Sequence, residues 1–262
     1  MHTLQHRHDL DGHVTAVTLD FPTPGTAEFL AHNGFAAIAI DFEHSNPDWN
    51  TVENIVRACE LTEATVIARV PHSPELVANC LDLGIAHFQL AHVDTAQQVE
   101  KILDCARFAP RGTRGIGRSR ANRFGHYPGG YQQFRHVAES VSLIVHIESL
   151  DGIASLPDLI AIDEVRIVLV GAQDLAASMG HIGRSDHPEV QSAIDRIIDT
   201  VRTSGKAIGM SASSPTDAAA AAEFGATFLL ASQARLMSGA ASVLHSALDR
   251  SPAVQPVAGG TR

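Results

Sequence analysis

The stretch SLIVHIESLDGIASLPDLIAIDEVRIVLVGAQDLAASM, residues Ser142–Met179, decides the fold. It contains two apolar runs rich in β-branched residues, Leu143–Ile147 and Arg166–Val170, and a helical pattern lies between them. The first run leads to Glu148 and the second leads, after three residues, to Asp174. Two parallel strands joined by a helix end at the same edge of a sheet, where α/β proteins place their active sites. The stretch therefore predicts two carboxylates close together at that edge.

The same alternation of short apolar runs and helical patterns extends along the chain. Eight runs are predicted as strands: His13–Leu19, Ala36–Ile40, Thr65–Val70, Ala86–Leu90, Leu143–Ile147, Arg166–Val170, Ala207–Met210 and Thr227–Ala231. We predict an α/β fold, a single-domain (β/α)8 TIM barrel over residues 1–250, followed by a flexible tail at residues 251–262. The segment Pro110–Gly130, rich in Arg and Gly, is predicted as an extended loop. An open, doubly wound sheet is the alternative, but no GxGxxG follows the first strand, which disfavours a dinucleotide-binding fold.

Composition excludes several classes of protein. A formal net charge of −10 argues against a nucleic-acid partner, which would require a basic face. No apolar run approaches the roughly 20 residues that span a bilayer, and the N-terminus lacks the hydrophobic region of a signal peptide. The three cysteines have no CxxC spacing, which indicates reduced thiols in a cytoplasmic protein: Cys59, Cys80 and Cys105.

Glu148 and Asp174 are candidate ligands of a divalent metal ion. Two carboxylates, with no cysteine and no HxH pair beside them, suit an oxygen-preferring ion such as Mg²⁺ or Mn²⁺. The other interpretation is that both are ordinary loop acids, with Asp174 capping the turn that follows it.

Polar residues also follow the second and third predicted strands. Asp41, Glu43 and His44 come directly after the second strand, and Arg69 lies near the end of the third. Arg69 either makes a structural salt bridge to Asp41 or Glu43, or points its guanidinium at a substrate carboxylate or enolate oxygen. His44 is a candidate general base, because an unperturbed imidazole titrates near neutral pH, or an inert loop histidine.

Several stretches, taken in order, are similar to one known family over about residues 14–245. They are GFAAIAIDFEHS (Gly34–Ser45), IARVPHSPELVANCLDLG (Ile67–Gly84), HVDTAQQVEKIL (His92–Leu103), RFAPRGTRGIG and SRANRFG (within Arg107–Gly125), IVHIESLDGIASLPDLIAI (Ile144–Ile162), LVGAQDLAASMGHIGRSDHPEV (Leu169–Val190) and GKAIGM (Gly205–Met210). Together they resemble the HpcH/HpaI aldolase and citrate lyase family.

The resemblance implies a metal-dependent carbon–carbon lyase of the class II aldolase type. Such an enzyme cleaves or forms a bond next to a 2-oxo acid of the pyruvate type, through an enolate bound to Mg²⁺, Mn²⁺ or Co²⁺. Its partners would be the 2-oxo acid and an aldehyde or acyl acceptor. The resemblance also implies a homohexamer that exchanges C-terminal helices, which points to Ala234–Leu248 as an interface.

Residue by residue, the resemblance assigns roles to matching positions. Glu148 and Asp174 match the metal ligands, and Arg69 matches the arginine that contacts the C2 oxygen of the oxo acid. His44, with Asp41, matches the histidine that acts through water as an acid and base.

The chain departs from the family pattern beside these residues. The backbone around Gln173 and Asp174 matches the N–H groups that hold the substrate carboxylate, but the family commonly has Gly-Pro-Ala-Asp-Leu where this chain has Gly-Ala-Gln-Asp-Leu. His146 stands in the substrate-binding position where the family commonly has glutamine. Kept ligands in an altered pocket predict enolate chemistry and leave open whether the acceptor is the usual aldehyde.

Two other functions stay open. One is a citrate-synthase-like condensation of oxaloacetate with acetyl-CoA, in which loop arginines would serve a polyanionic substrate: Arg114, Arg118, Arg120 and Arg123. The other is a non-catalytic, ligand-binding relative, which loss of Glu148, Asp174 or Arg69 would have favoured.

Overall fold

Eight parallel strands close into a barrel in the computed structural model, which describes residues 13–249. The strands are β1 (Val14–Leu19), β2 (Ala37–Asp41), β3 (Thr65–Val70), β4 (His87–Leu90), β5 (Ser142–Ile147), β6 (Val165–Val170), β7 (Ala207–Ser211) and β8 (Phe228–Ser232). Each strand pairs with the next in the chain, and β8 pairs with β1. The predicted TIM barrel is confirmed, and the open sheet is excluded.

Helices lie between the strands and cover the outside of the barrel. They are α1 (Pro24–His32), α2 (Trp49–Leu61), α3 (Pro74–Leu83), α4 (Ala96–Ala106), α5 (Gly130–Ala138), α6 (Leu150–Ile160), α7 (Ala172–Ser178), α8 (Pro188–Arg202), α9 (Pro215–Glu223) and α10 (Gln233–Asp249). The predicted loop Pro110–Gly130 contains a short 3-10 helix, Arg120–Gly125. The predicted tail, residues 251–262, lies outside the described residues.

Side-chain caps start most helices directly after a strand or a short turn. The N-cap side chains that accept a backbone N–H are Thr23, Asp48, Ser73, Thr95, Ser149, His187 and Ser214. Glu148 is the single residue between the end of β5 and Ser149, the cap of α6. Since both neighbours are fixed by regular structure, the backbone of Glu148 has little freedom.

The core has two layers. One cluster joins outward-facing strand residues to the helices and includes Val17, Ile38 and Phe88. The other contains buried residues from strands alone and fills the barrel: Val14, Ala16, Ala37, Ala39, Ile67, Ile144, Ile167, Leu169, Phe228 and Leu230. Alternation along each strand separates the two layers.

Continuing the inward-facing series toward the C-terminal ends of the strands leads from apolar to polar residues. Two residues beyond Ala39, Ile67 and Ile144 come Asp41, Arg69 and His146. Two residues beyond His146, directly after the end of β5, comes Glu148. The strand period therefore places these polar side chains at one end of the barrel interior.

Two expectations drawn from composition are also addressed by the structure. The cysteines are free thiols, and burial raises the pKa of Cys59 and of Cys80 to about 12, so neither is an activated nucleophile. No helix within residues 13–249 is both long and apolar enough to cross a bilayer.

Candidate active site

A cavity of about 460 Å³ opens at the C-terminal ends of the strands. Among its lining residues are six predicted from sequence: Asp41, His44, Arg69, His146, Gln173 and Asp174. Glu148 is buried beside this cavity, against Gly171 and His146. The structure therefore brings all seven predicted site residues to one place.

Glu148 uses one carboxylate oxygen in the protein and leaves the other without a hydrogen-bond donor. Its Oε1 accepts the backbone N–H of His92 at 2.6 Å and lies 2.9 Å from Nδ1 of the same residue. Its Oε2 is buried and has no hydrogen-bond partner among the described residues. Burial raises the pKa of Glu148, His92 and Arg69 lower it, and the Asp174 carboxylate raises it further. A buried anionic oxygen without a donor is costly unless a cation meets it.

His146 packs against Glu148 as a neutral imidazole. Its Nδ1 lies 3.2 Å from Oε2 of Glu148, but neither ring nitrogen makes a hydrogen bond with a described residue. Burial, followed by the positive charges of Arg69 and His92, lowers the pKa of His146 to about 3. Gly171 makes this packing possible, because a Cβ there would lie 2.6 Å from His146 Nε2 and 2.8 Å from Glu148 Cβ.

Asp174 lies in the first turn of α7 and is exposed to the cavity. The N-cap of this helix is Gly171, with no side-chain cap bond, so Asp174 does not act as the cap. Its carboxylate makes no hydrogen bond or ion pair with the residues that the structure describes. Because Asp174 is near enough to raise the pKa of Glu148, the two acids fit the oxygen ligands that a hard divalent ion requires.

Arg69 lies at the centre of a second group of charges. Its Nη1 is 3.4 Å from Oδ2 of Asp41, its Nη2 pairs with Oε2 of Glu43, and Nη2 is 3.4 Å from Nε2 of His44. Asp41 Oδ1 also accepts the N–H groups of Glu43 (2.8 Å) and His44 (3.1 Å), which fixes the turn after β2. Both salt bridges that the sequence suggested for Arg69 thus form together, and they hold its guanidinium at the cavity wall.

His92 was not predicted as a site residue. It bridges the two groups, because its Nε2 is 2.9 Å from Glu43 Oε1 while its Nδ1 contacts Glu148. It follows β4 with φ of 51°, a left-handed conformation that side chains rarely adopt. Its only signal in the sequence is its place just beyond the end of β4. Gln89, buried on β4 with an unpaired Oε1 facing the same interior, was also missed.

Among the described residues, none of the four loop arginines named above lines this cavity. Arg114, Arg120 and Arg123 line a separate cavity of about 570 Å³ beside the segment that precedes β4. Arg120 pairs there with Glu60, and Arg114 stacks on Phe108 with 4.9 Å between its guanidinium carbon and the ring centre. The structure therefore gives these arginines structural contacts and no access to the candidate active site.

A surface cluster of His181, His187 and Glu189 has donor atoms close enough for a metal ion. The two imidazoles stack with ring centres 3.6 Å apart and planes 17° from parallel, so their nitrogen lone pairs do not converge on one point. His187 Nδ1 already accepts the N–H of Glu189 as the cap of α8. This cluster fits the start of a helix better than a metal site.

Comparisons with known proteins agree with this geometry. The model of the HpcH/HpaI aldolase/citrate lyase family matches residues 21–233. The chain is 35% identical over 208 residues to 5-keto-4-deoxy-D-glucarate aldolase of Klebsiella pneumoniae, covering 79% of this chain and 80% of that protein.

Solved structures give the same result. A family protein from Burkholderia cenocepacia has a TM-score of 0.84 and 28% identity, and the match covers 94% of this chain and 98% of the other. The citrate synthase SbnG shares the fold, with a TM-score of 0.79 and 23% identity over 95% of this chain and 98% of the other. The chain therefore belongs to the HpcH/HpaI aldolase/citrate lyase family and is a carbon–carbon lyase of the aldolase type.

Proposed function

We propose that this enzyme cleaves or forms a carbon–carbon bond next to a 2-oxo acid such as pyruvate, with Glu148 and Asp174 holding a divalent metal ion. The observation that carries the proposal is the buried Oε2 of Glu148, which has no hydrogen-bond donor among the described residues, together with the unpaired Asp174 acid, whose charge is near enough to raise the pKa of Glu148. Dependence on a divalent metal, general in this family, supports the same assignment. Mg²⁺, Mn²⁺ and Co²⁺ all suit two carboxylates and bound water.

When bound, the ion supplies positive charge to the oxygens of the oxo acid. In the cleavage direction, the C4 hydroxyl loses its proton as the C3–C4 bond breaks and an aldehyde leaves. The electron pair of that bond becomes the enolate, which takes a proton at C3 to give the oxo acid. Arg69, oriented by Asp41 and Glu43, stabilises the negative charge that develops on the C2 oxygen.

Residues near Arg69 and Asp174 would transfer the proton and bind the carboxylate of the substrate. His44 is 67% exposed at the cavity and lies next to Arg69, so its imidazole can exchange a proton with substrate through water. The N–H groups of Gln173 and Asp174 lie in the first turn of α7, where the helix provides no acceptor, and would hold the substrate carboxylate. Neutral His146 would contact the substrate as a polar, uncharged surface.

The substrate class is proposed from the relatives. The aldolases that are 33–35% identical to this chain are named for 5-keto-4-deoxy-D-glucarate, a sugar acid with a carboxylate at each end. A keto-deoxy sugar acid of this kind is the proposed substrate. The likeness to a citrate synthase is one of fold, so condensation of oxaloacetate with acetyl-CoA is the less favoured activity.

Exchange of the pyruvate methyl protons with deuterium tests the proposal directly. NMR should show exchange with the wild-type enzyme and Mg²⁺, Mn²⁺ or Co²⁺, and a fall of about 100-fold or more in Arg69→Ala, Glu148→Gln and Asp174→Ala. Arg196→Ala, on the outer helix α8, is the matched control and should exchange normally. Absence of exchange with every metal would contradict the proposal. Release of free CoA from oxaloacetate and acetyl-CoA, without such exchange, would favour the citrate-synthase-like activity.

A further inference from the structure

The cavity has a second side that the proposed reaction does not use. This side is formed by the ends of β7 and β8 and the start of α10, and it includes Ser211, Ser232 and Arg235. The backbone N–H of Arg235 donates to Ser232 Oγ at 3.2 Å. Its guanidinium makes no hydrogen bond or ion pair with any residue between 13 and 249. It is thus a cation at the cavity wall without a partner in the described part of the chain.

Two acids, Asp20 and Asp217, line the same side and accept hydrogen bonds from neutral donors. Asp20 Oδ2 accepts the hydroxyl of Ser232 at 2.9 Å and the N–H of Ala234 at 2.8 Å, which fixes the start of α10. Asp217 Oδ2 accepts the N–H of Ser213 at 3.1 Å. The backbone that carries Arg235 is therefore held in place, and neither acid forms an ion pair with its guanidinium, so its N–H groups stay available to a ligand.

The two sides of the cavity offer different charged groups to a substrate. At the catalytic side, Arg69 is balanced by Asp41 and Glu43, and the acids Glu148 and Asp174 are placed for a dication. That side accommodates the oxo-acid end of a substrate. A longer substrate would reach the ends of β7 and β8, where Arg235 lines the wall together with Asp20 and Asp217 and offers unused N–H groups.

We propose that Arg235 binds the carboxylate at the far end of a diacid substrate, so that the preferred acceptor is an acidic aldehyde. A guanidinium suits this role because its planar N–H groups match the two oxygens of a carboxylate. Arg235 is a specificity-determining residue and takes no part in bond making. This inference rests on the proposed function, since it assigns the second half of the same substrate.

Condensation of pyruvate with matched two-carbon aldehydes tests the assignment. Glyoxylate carries a carboxylate and glycolaldehyde does not. The ratio of kcat/KM for the two aldehydes therefore measures how much the enzyme gains from the carboxylate. Arg235→Ala should lower kcat/KM for glyoxylate about 10- to 100-fold, mainly through KM, and leave glycolaldehyde within about twofold. Arg235→Lys should recover part of the loss. Arg196→Ala removes an equal charge from the outer surface and should change neither value.

Binding of inert analogues separates this inference from the proposed chemistry. Calorimetry should show D-glucarate, with two carboxylates, binding more tightly than D-gluconate, with one, and Arg235→Ala should abolish the difference. Pyruvate proton exchange should stay at the wild-type rate in Arg235→Ala. An equal fall of kcat/KM for both aldehydes in Arg235→Ala, or an unchanged preference of this variant for glucarate, would contradict the proposed role of Arg235. Lack of exchange in the wild type would refute the proposed function, while the calorimetry would still decide the role of Arg235.

Discussion

At the scale of single residues, Glu148 is placed by a neighbour that no sequence pattern marks. His92 contacts Oε1 of Glu148 through both its backbone N–H and its ring, and its other ring nitrogen contacts Glu43. The free Oε2 thereby lies on the side of His146 and Gly171. His92 is a positioning residue, and it couples the acid that would bind metal to the acid that orients Arg69.

Replacing His92 with asparagine separates the ring contacts from the backbone contact. Asparagine tolerates positive φ and keeps the N–H bond to Glu148, but its side chain is too short to bridge the two acids. We expect Mn²⁺ affinity, measured by calorimetry, to fall about 10-fold, as for other residues that orient a metal ligand. The unfolding midpoint should change little, because the His92 side chain is 62% exposed. His32→Asn, on the exposed end of α1, is the control, and equal affinity in both variants would refute the positioning role.

The residues at strand ends were predictable, and His92 was not. Asp41, Arg69 and Glu148 each follow or end an apolar run, so the period of the strand places them at one edge. The contact of His92 depends on a turn with positive φ and on acids 49 and 56 residues away in the numbering. Local pattern carries no information about such distant partners.

At the scale of elements, all eight strands were predicted to within about a residue at each end, because buried parallel strands are short, continuous apolar runs. α7 was missed. It has seven residues, and its N-cap is a glycine, so neither length nor a capping side chain distinguishes it from a loop. The 3-10 helix Arg120–Gly125 was missed because it has only six residues within a segment rich in Arg and Gly, although Ser119 stands at its N-cap position. Both omissions fall in connections, where tertiary contacts decide the structure.

An ion pair between elements gives the barrel a predictable response to acid. Arg107, after α4, donates to Glu164, just before β6, at 2.5 Å. Burial of Glu164 opposes its charge, but the hydrogen bond from Arg107 and the charges of Arg107 and Arg111 outweigh burial and lower the pKa of Glu164. A lowered pKa in the folded state means that this stabilisation is present above the unfolded value, about 4.3, and is lost as the pH falls through the folded value.

Glu164→Gln should therefore destabilise the protein at pH 7 by about 1–2 kcal/mol in urea unfolding, and the difference should shrink below pH 4. Asp199→Asn breaks an exposed pair with Arg202 and should change stability little at either pH. A gap between Glu164→Gln and wild type that is constant with pH would contradict the assignment.

At the scale of the whole molecule, α10 carries apolar side chains that the chain does not bury. Met237, Val243 and Leu244 are 59%, 68% and 69% exposed. We expect this surface to be buried against other copies of the chain, as in the hexamer with exchanged C-terminal helices that the family resemblance implies. Light scattering should give about six times the 27.9 kDa mass of one chain. The double variant Val243→Asp, Leu244→Asp should yield smaller species. Leu61→Asp, which changes an exposed side chain at the end of α2, should not. A monomeric wild type would refute the assembly.

The position of Arg235 on α10 has a consequence for how the enzyme responds to dilution. The first turn of this helix borders the cavity, and its later turns carry the surface expected to meet another copy. Asp20 fixes the backbone at the start of α10 within one chain, whereas the later turns would be held by the other copy. Mass action then links self-association to selectivity through the orientation of the helix that carries Arg235. Discrimination between acidic and neutral aldehydes should weaken at low enzyme concentration, while proton exchange at the catalytic side persists. Selectivity would thus report the extent of assembly.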